Sequence, residues 1–307
     1  MISVAMSTYN GKEFVVEQLN SIVNQTLLPD EIVVIDDCST DDTFYIVKEF
    51  SKNHNEILWN IKQNEENVGY IVNFFNVINI CKGDIIILCD QDDIWEKNKV
   101  SVIYNLFERY PDMLSLHMDY KLIDKNQISI SEREIGYKED TYKYSIADFC
   151  KRLNYCGMSS AFRSTLKTNL NELNPVTLPT HDWVIHAIAA VKNGLYVSGE
   201  IVSLRRYHET NVALNIDKKV QRSGIEQRVN VVQNYLEYYQ LVKRFNEKFG
   251  YINNKDYIEK LIYTEELRIN NLQKKNVMGW IGSVFDLKYY PSLKAFWCDL
   301  LYIIGVF

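Results

Sequence analysis

The residues with the clearest capacity for chemistry are three aspartates within four positions, Asp90, Asp92 and Asp93, in the segment LCDQDDIW. Carboxylates this close repel one another, and placing them after an apolar run is costly unless a cation neutralises them. Oxygen ligands suit Mg²⁺ or Mn²⁺, which bind through a few carboxylates and substrate phosphates. An alternative interpretation places Asp92 and Asp93 at a helix N-terminus, where they cap the first turn and complement the helix dipole.

A second acidic cluster occupies residues 35–43, with the sequence IDDCSTDDT. The residues from Ser39 to Thr43 are typical of the start of a helix. That role does not account for Asp36 and Asp37, which end the preceding apolar run. Carboxylates at such a position can accept hydrogen bonds from a ribose or a base edge.

The elements that must position these clusters alternate between strands and helices through the first third of the chain. Short apolar runs predict four strands, over residues 2–7, 31–37, 57–62 and 84–90. Helical spacing predicts helices between them, among others over 11–25 and 70–81. This alternation indicates βαβ units and a Rossmann-like α/β fold, with a mainly parallel central sheet flanked by helices.

Ligands of such sheets bind at the carboxyl ends of the strands. Both acidic clusters are predicted to lie there, together with Thr8, Tyr9 and Asn10 after the first strand. The sequence therefore predicts one polar site at this edge of the sheet.

Composition limits the class of protein. Of 307 residues, 47% are apolar and 24% are charged, which excludes global disorder. The net charge of −6 argues against a nucleic-acid binder that works by bulk charge. It combines 8 basic and 20 acidic residues in 1–120 with 26 basic and 20 acidic residues in the remainder.

Six cysteines without a CxxC pair argue against a zinc ribbon and favour a reducing, cytoplasmic compartment. Apolar runs also stay shorter than the ~18–20 residues of a membrane span.

The character of the chain changes at about residue 217, so two domains are predicted, 1–216 and 217–307. Apolar residues beyond this point follow helical spacing, basic residues accumulate, and the final stretch is rich in Trp, Tyr, Phe and Leu. One interpretation is a helical extension packed on the sheet. The other is a monotopic contact with an anionic membrane, because aromatic residues suit the interface and basic residues suit anionic lipid.

Four sequence blocks together resemble the family 2 inverting glycosyltransferases of the GT-A fold: STYNG (7–11), VVIDDCSTDDT (33–43), NVG (67–69) and DQDDIW (90–95). The DQDDIW form, with HDW at 181–183, is most similar to bacterial rhamnosyltransferase-like members that build polysaccharides. The resemblance implies a nucleotide-sugar donor, dTDP- or UDP-linked, and a divalent metal, Mg²⁺ or Mn²⁺. It also makes the first domain the donor-binding and catalytic one, while the second remains, from its composition, a helical region with a possible membrane or acceptor contact.

The resemblance assigns roles residue by residue. It implies that Asp90 and Asp92 are the DxD metal ligands, and that His208 either completes the metal shell or contacts the donor. The implied donor-binding residues are Thr8, Tyr9, Asn10, Asp36, Asp37, Asn67, Gly69, Asp90, Asp93, Arg206 and His208.

An inverting transfer also needs a base to take the proton from the acceptor hydroxyl. Asp182, at the start of a predicted helix over 182–193, matches the family position of that base; alternatively it is an N-cap. Arg206, His208 and Asn211 match an Arg-x-His-x-x-Asn loop whose cation would neutralise the leaving diphosphate. The alternative there is a solvated surface loop.

The sequence thus predicts a cytoplasmic transferase at the inner face of the plasma membrane. It would move a sugar, rhamnose by preference, to a hydroxyl of a growing cell-surface polysaccharide or lipid-linked oligosaccharide. Two alternatives are a nucleotidyltransferase, although STYNGKEF supplies no Gly-rich phosphate loop, and a non-catalytic nucleotide-sugar binder. Nothing in the sequence predicts an oligomeric state.

Overall fold

The computed structural model of the chain describes residues 1–152, 155–208, 224–250 and 254–306. The chain divides into two compact units. We call the first the sheet unit; it comprises Met1–Lys143, Tyr155–Ala189 and Gly194–Glu209. The second, the helical unit, comprises Tyr144–Asn154, Ala190–Asn193 and Thr210–Phe307. The predicted boundary between residues 216 and 217 lies outside the described residues.

Within the described ranges, one sheet contains nine strands, in the spatial order β3-β2-β1-β4-β8-β6-β9-β5, with β7 paired to β9. The strands are β1 (Ile2–Thr8), β2 (Glu31–Asp36), β3 (Leu58–Gln63), β4 (Ile85–Cys89), β5 (Ile94–Trp95), β6 (Ser115–Ile123), β7 (Tyr142–Lys143), β8 (Ser160–Arg163) and β9 (Leu195–Arg206).

The described α-helices are α1 (Val15–Val23), α2 (Thr43–Ser51), α3 (Tyr70–Ile80), α4 (Lys99–Arg109), α5 (Ile146–Cys150), α6 (Lys167–Leu170), α7 (His181–Val191), α8 (Ile225–Phe249), α9 (Lys255–Gln273), α10 (Val277–Gly282) and α11 (Leu293–Ile303). Short 3₁₀-helices occupy Gly157–Ser159, Ser164–Leu166, Pro175–Thr177 and Ser283–Tyr289.

The amino-terminal half of the sheet is parallel, since β1 pairs in parallel with both β2 and β4, and β2 with β3. Every residue of β2 and β4 is buried, as their continuous apolar runs predict for strands covered on both faces. The other half is mixed, because β8 runs antiparallel to β4 and β6, whereas β9 is parallel to β6. The predicted α/β fold is confirmed.

The ends of β1, β2 and β4 lie side by side, which brings Thr8, Asp36 and the segment after Cys89 to one edge of the sheet. The four predicted strands are confirmed, with ends shifted by no more than one residue. Helix α1 begins four residues later than predicted, because Gly11 to Phe14 form a turn in which the Phe14 N–H donates to the Gly11 carbonyl at 3.0 Å.

The helical unit has its own apolar core, formed by Val229, Val232, Leu272, Trp280, Tyr290, Phe296 and Ile303. It also encloses a group of charged side chains, Arg228, Glu265, Arg268 and Asp299. Across the described residues, no helix is both long enough and apolar enough to span a bilayer. The six cysteines are unpaired, and four of them are buried.

Candidate active site

Asp36, the last residue of β2, connects three neighbouring segments at the site edge. Its carboxylate accepts hydrogen bonds from Thr8 Oγ1 at 2.9 Å, from Gln63 Nε2 at 3.0 Å and from the Ser39 hydroxyl at 2.6 Å. Asp36 is fully buried, so these bonds offset the cost of removing its charge from water. The predicted donor-binding residues Thr8 and Asp36 therefore form one hydrogen-bonded unit.

Asp37 organises the loop that leads into α3. One carboxylate oxygen accepts the Val68 N–H and the Asn64 amide, at 2.9 and 2.8 Å, and the other accepts the Gly69 N–H at 2.9 Å. Gly69 has a φ of +85°, a conformation that favours glycine. The Asn67 amide donates to the Asp37 carbonyl at 3.2 Å. Three predicted donor-binding residues, Asp37, Asn67 and Gly69, are thus brought together by the carboxylate and the backbone carbonyl of Asp37.

Gln91, which the sequence did not single out, joins the first-strand motif to the aspartate cluster. Its side chain accepts the Tyr9 N–H and donates to the Tyr9 carbonyl, both at 2.8 Å. Gly11 permits this contact, because a Cβ there would lie 2.1 Å from Gln91 Oε1. Next to it, Asn10 adopts a positive φ of 48° and accepts the Thr40 N–H at 2.8 Å. Tyr9 and Asn10 are exposed at this edge.

The aspartate cluster does not cap a helix. After Asp93 the chain forms β5, which pairs with β9, and α4 begins only at Lys99, with Asn98 as its N-cap. The buried Asp93 carboxylate instead accepts the Arg206 N–H at 2.9 Å. The capping interpretation of Asp92 and Asp93 is therefore wrong, because the segment is held by a strand.

The pKa values of Asp90 and Asp93 are raised, as expected for carboxylates that are buried close to one another. Burial raises the pKa of Asp90 to about 7, and the neighbouring charges of Asp92 and Asp182 act in the same direction. Burial, again with the charges of Asp92 and Asp90, raises the pKa of Asp93 well above its usual range. Over the described residues, neither Asp90 nor Asp93 forms an ion pair. A cation at this point would relieve both the repulsion and the desolvation.

Asp92 contacts His208, whose Nε2 lies 2.9 Å from Asp92 Oδ2. The His208 ring also packs on Phe14, with 4.7 Å between ring centroids. Asn211, the last residue of the predicted loop motif, lies outside the described residues. Two predicted metal ligands, Asp92 and His208, are therefore neighbours in space although 116 positions separate them.

Over the ranges that the structure describes, no three His, Cys, Asp or Glu side chains converge as a ready cage for a metal ion. The donors present are the carboxylates of Asp90 and Asp92 with an imidazole beside them. Such a set suits Mg²⁺ or Mn²⁺, which take few carboxylates and complete their shell with water and substrate phosphates. The residues therefore fit a metal that arrives with its phosphate-bearing substrate.

Arg206 and Arg205 face different surroundings, as consecutive strand residues do. The Arg206 guanidinium is fully buried; it donates to the Asp92 carbonyl at 2.9 Å, to the Lys125 carbonyl at 3.0 Å and to the Glu17 carboxylate. The predicted contact of Arg206 with the donor has no support in this geometry, because its nitrogens are occupied inside the protein. Arg205 is partly exposed, and its charge opposes the rise in the pKa of Asp90 and Asp93.

Asp182 lies in the first turn of α7, one residue into the helix. Its Oδ1 accepts the Trp183 N–H at 2.7 Å and the Thr180 hydroxyl. A Cβ on Gly157 would lie 3.9 Å from its other oxygen, Oδ2. The side chain is thus held by one oxygen, and its charge is close enough to Asp90 to raise the pKa of that residue.

Comparison with known proteins identifies the family. The family model described as "Glycosyl transferase family 2" matches residues 3–171. The chain belongs to glycosyl transferase family 2. The dTDP-rhamnosyl transferase RfbG of Shigella flexneri is 27% identical over 97% of both chains. The UDP-Glc:alpha-D-GlcNAc-diphosphoundecaprenol beta-1,3-glucosyltransferase WfgD of Escherichia coli is 25% identical over 72% of this chain and 83% of its own.

Solved structures support the fold of this family 2 glycosyltransferase. TarS 1-349 of S. aureus in complex with UDP-GlcNAc superposes with a TM-score of 0.60 at 16% identity, covering 99% of this chain and 92% of TarS. The mannosyltransferase PcManGT of Pyrobaculum calidifontis, in complex with GDP-Man and Mn²⁺, gives 0.59 at 15% identity, covering 99% and 79%. The predicted resemblance to GT-A glycosyltransferases and to rhamnosyltransferase-like members is confirmed.

Two histidines of this family 2 glycosyltransferase are packing residues. The His181 ring stacks on Phe74, with centroids 3.8 Å apart, and within the described chain neither ring nitrogen has a hydrogen-bond partner. Burial lowers the pKa of His181. His186 is fully buried between the hydroxyls of Ser115 and Ser160, at 3.0 and 2.9 Å, and burial lowers its pKa to about 3. Both rings are therefore neutral core groups.

Lys99 is the least expected member of the site. Its side chain is fully buried, lies 4.0 Å from the Trp95 ring centroid and donates to the Met158 carbonyl at 2.5 Å. Burial lowers its pKa to about 8, against the charges of Asp93 and Asp90. Met158 follows Gly157, where an added Cβ would lie 2.9 Å from His181 Nε2 and 3.9 Å from Asp182 Oδ2. Lys99 is therefore bonded to the segment that carries Gly157 and Met158, and its charge acts on Asp90 and Asp93. A lysine seven residues after Asp92 carries no sequence signal for this burial.

Proposed function

We propose that the chain is a metal-dependent inverting transferase that moves a sugar, rhamnose by preference, from a nucleotide diphosphate to an acceptor hydroxyl. The observation that carries the proposal is the gathering of Asp90, Asp92 and Asp93 at the carboxyl end of β4, close to Asp182. This arrangement offers a cation site and a separate carboxylate within one polar edge.

The donor is proposed to be dTDP- or UDP-linked. The similarity to RfbG, a dTDP-rhamnosyl transferase, supports dTDP-rhamnose, whereas WfgD uses UDP-Glc and TarS was crystallised with UDP-GlcNAc. The donor-binding set is then Thr8, Tyr9, Asn10, Asp36, Asp37, Asn67, Gly69, Asp90 and Asp93. Because Asp36 and Asp37 are already hydrogen-bonded within the protein, their main effect is to fix the backbone that meets the nucleotide.

Mg²⁺ or Mn²⁺ would be held by Asp90 and Asp92, with His208 either orienting Asp92 or joining the ligands. When bound, such an ion neutralises the diphosphate and so stabilises the leaving group. The Mn²⁺ present in the PcManGT complex is consistent with this choice. Arg205, the partly exposed cation beside the cluster, is proposed to take the diphosphate contact that the sequence assigned to Arg206.

Asp182 is proposed to be the base. The Trp183 N–H and the Thr180 hydroxyl fix Oδ1 and leave Oδ2 as the oxygen that takes the acceptor proton. Inversion follows, since the acceptor oxygen attacks the anomeric carbon in line with the departing diphosphate.

The acceptor is proposed to be a hydroxyl of a growing cell-surface polysaccharide or a lipid-linked oligosaccharide. The diphosphoundecaprenol acceptor in the name of WfgD supports the lipid-linked form. A cytoplasmic enzyme at the inner face of the plasma membrane would meet such an acceptor.

A donor panel tests the proposal. Purified protein is incubated with dTDP-rhamnose, UDP-glucose and UDP-GlcNAc, with Mn²⁺, with Mg²⁺ or with a chelator, and release of nucleoside diphosphate is measured with and without a lipid-linked acceptor. Metal-dependent, acceptor-stimulated release from one donor is expected. Formation of pyrophosphate from a nucleoside triphosphate and a sugar phosphate would instead indicate a nucleotidyltransferase, and donor binding without release a non-catalytic binder.

A further inference from the structure

Large apolar side chains are strongly exposed near the end of the helical unit. Met278 and Phe285 are 75% and 87% exposed, and Leu293 and Trp297 are 65% and 57% exposed. Isolated exposed apolar residues are common, but a concentration of them marks an interaction site. We call this group, together with Ile281 and Ile304, the apolar surface.

These exposed residues alternate with buried ones along the helical segments from Val277 to Ile303. Met278, Ile281 and Phe285 follow i, i+3, i+7 spacing through α10 and the 3₁₀-helix Ser283–Tyr289, while Trp280 and Ser283 point inward and are buried. In α11, Leu293 and Trp297 are exposed, as is Ile304 just after the helix, whereas Phe296 and Ile303 are buried. Each segment therefore presents apolar side chains both to the core and to the surface.

The two exposed faces are adjacent. Trp280 stacks on Phe296 with ring centroids 4.5 Å apart, and its Nε1 donates to the Phe296 carbonyl at 2.9 Å. The exposed Trp297 ring lies 5.5 Å from the Trp280 ring. The buried stack thus holds α10 and α11 together and joins their exposed residues into one surface.

Within residues 274–306, which carry the apolar surface, the exposed charges are almost all positive. Four exposed lysines accompany it in sequence: Lys274, Lys275, Lys288 and Lys294. Of the two acids between residues 274 and 306, Asp299 is buried and paired with Arg228 and Arg268. Among the described residues from 274 to 306, Asp286 is therefore the one acid outside the core whose negative charge opposes the four lysines.

We propose that the apolar surface inserts into the interface of an anionic bilayer, with the four lysines at the headgroups. Protruding aromatic and aliphatic side chains flanked by lysines match the requirements of an interfacial helix, which combines apolar burial with attraction to anionic lipid. A symmetric contact between two copies would bring two positive rims together, and like charges repel across an interface. Anionic headgroups neutralise the same lysines.

Membrane binding through this surface is independent of sugar transfer, so it is tested without donor or acceptor. The full chain is mixed with phosphatidylcholine vesicles, with or without about one third phosphatidylglycerol, and the bound fraction is measured by sedimentation. Binding to the anionic vesicles is expected, and it should weaken as salt rises from about 0.1 to about 0.5 M.

The decisive variant is the double change Met278→Ser and Phe285→Ser. Loss of two inserted apolar side chains should lower the vesicle partition coefficient by at least about tenfold. The matched control is the pair Val176→Ser and Tyr45→Ser in the sheet unit, where the side chains are 76% and 67% exposed. This control should bind like the unaltered chain. Circular dichroism of both proteins shows that the helices are retained.

Three results would overturn the proposal. The first is absence of binding to anionic vesicles, and the second is unchanged binding by the Met278→Ser, Phe285→Ser chain. The third is self-association that this variant abolishes without any vesicle binding by the unaltered chain, since the surface would then serve a second copy. Replacing Lys274 and Lys275 by Gln gives a further check, because binding that is insensitive to both lysines contradicts the role of anionic lipid.

Discussion

Each of the two units contains a group of four ionisable side chains, but the two groups differ in their counter-charges. The helical unit encloses two arginines and two acids: Asp299 accepts from Arg228 at 2.6 Å and from Arg268 at 2.7 Å, and Glu265 accepts from Arg268 at 2.6 Å. The sheet unit gathers four carboxylates, Asp90, Asp92, Asp93 and Asp182. Lys99 and Arg205, whose charges act on Asp90, form no described ion pair with Asp90 or Asp93.

The difference separates carboxylates that are neutralised by their own chain from carboxylates that require a partner. A buried acid is tolerated when an arginine with good geometry accompanies it, and that arrangement needs no ligand. Like charges held together by the backbone, as at the end of β4, remain unfavourable until a cation arrives. The number of acids in a region is therefore a poor guide to function, and the location of their counter-charges is a better one.

The largest expected effect comes from removing one charge of the unbalanced group. Asp92→Asn should lower metal-dependent transfer by roughly 10⁴-fold or more, because a bound metal contributes several kcal/mol of transition-state stabilisation. The measurement is the rate of nucleoside diphosphate release across a Mn²⁺ titration. The matched control is Asp42→Asn, since Asp42 is an exposed acid at the start of α2. Equal metal dependence in the Asp92→Asn and Asp42→Asn chains would refute the assignment.

Asp182→Asn should act on transfer without affecting the metal. The asparagine keeps the hydrogen bond from the Trp183 N–H but cannot accept the acceptor proton, so transfer should fall by roughly 10²–10⁴-fold. Donor affinity, measured by calorimetry with Mn²⁺, should stay within about twofold of the unaltered chain. Near-normal transfer by this variant would show that another group is the base. Thr180→Val, which removes the hydroxyl beside Oδ1, should give an intermediate loss.

The two regions also differ in how far the sequence predicts them. At the end of β4, a continuous apolar run followed by DQDDIW is sufficient to predict a buried strand that ends in crowded carboxylates, because the apolar run and the crowding are both local properties of the sequence. The convergence of Thr8 and Asp36 at one edge follows from parallel pairing. These features need no knowledge of distant contacts.

Features that depend on distant contacts could not be predicted. Arg205 and Arg206 are chemically identical neighbours, and only the pairing of β5 with β9 decides that Arg206 is buried beneath Asp92. In the helical unit, Glu265 and Asp299 look like solvated helix charges, because helical spacing does not reveal which face meets an arginine. Burial of a charge is a tertiary property, so the sequence does not predict the balanced cluster.

Removing one arginine from the buried charged group of the helical unit tests whether its acids depend on their arginine partners. Arg268→Met leaves the buried Glu265 and Asp299 with Arg228 as their nearest described cation, and breaking a buried pair in this way costs about 3–5 kcal/mol. Native-state hydrogen exchange should show this loss in the amides of α9 (Lys255–Gln273). The control is Lys260→Met, which removes an exposed cation from the same helix. Equal protection of the α9 amides from exchange in the two variants would mean that Arg268 does not neutralise Glu265 and Asp299.

The smallest expected effect is a pH dependence carried by Glu265. Burial raises its pKa from the ordinary 4.5 to about 7, although Arg268 and Arg228 act against this rise and Asp299 supports it. Tyr235 and Tyr239 also lie close enough for the Glu265 charge to raise their pKa values. Oε1 has no hydrogen-bond partner among the described residues, which further disfavours the ionised form.

Because the pKa of Glu265 is higher in the folded than in the unfolded chain, its contribution to stability is complete below about pH 4.5 and is lost as pH rises through about 7. Glu265→Gln removes this titration. The free energy of unfolding of the unaltered chain, minus that of the variant, should therefore fall by about 1–3 kcal/mol over this interval in urea titrations. A difference that rises with pH would mean that the arginines hold Glu265 ionised throughout, and that charge pairing outweighs burial in this cluster.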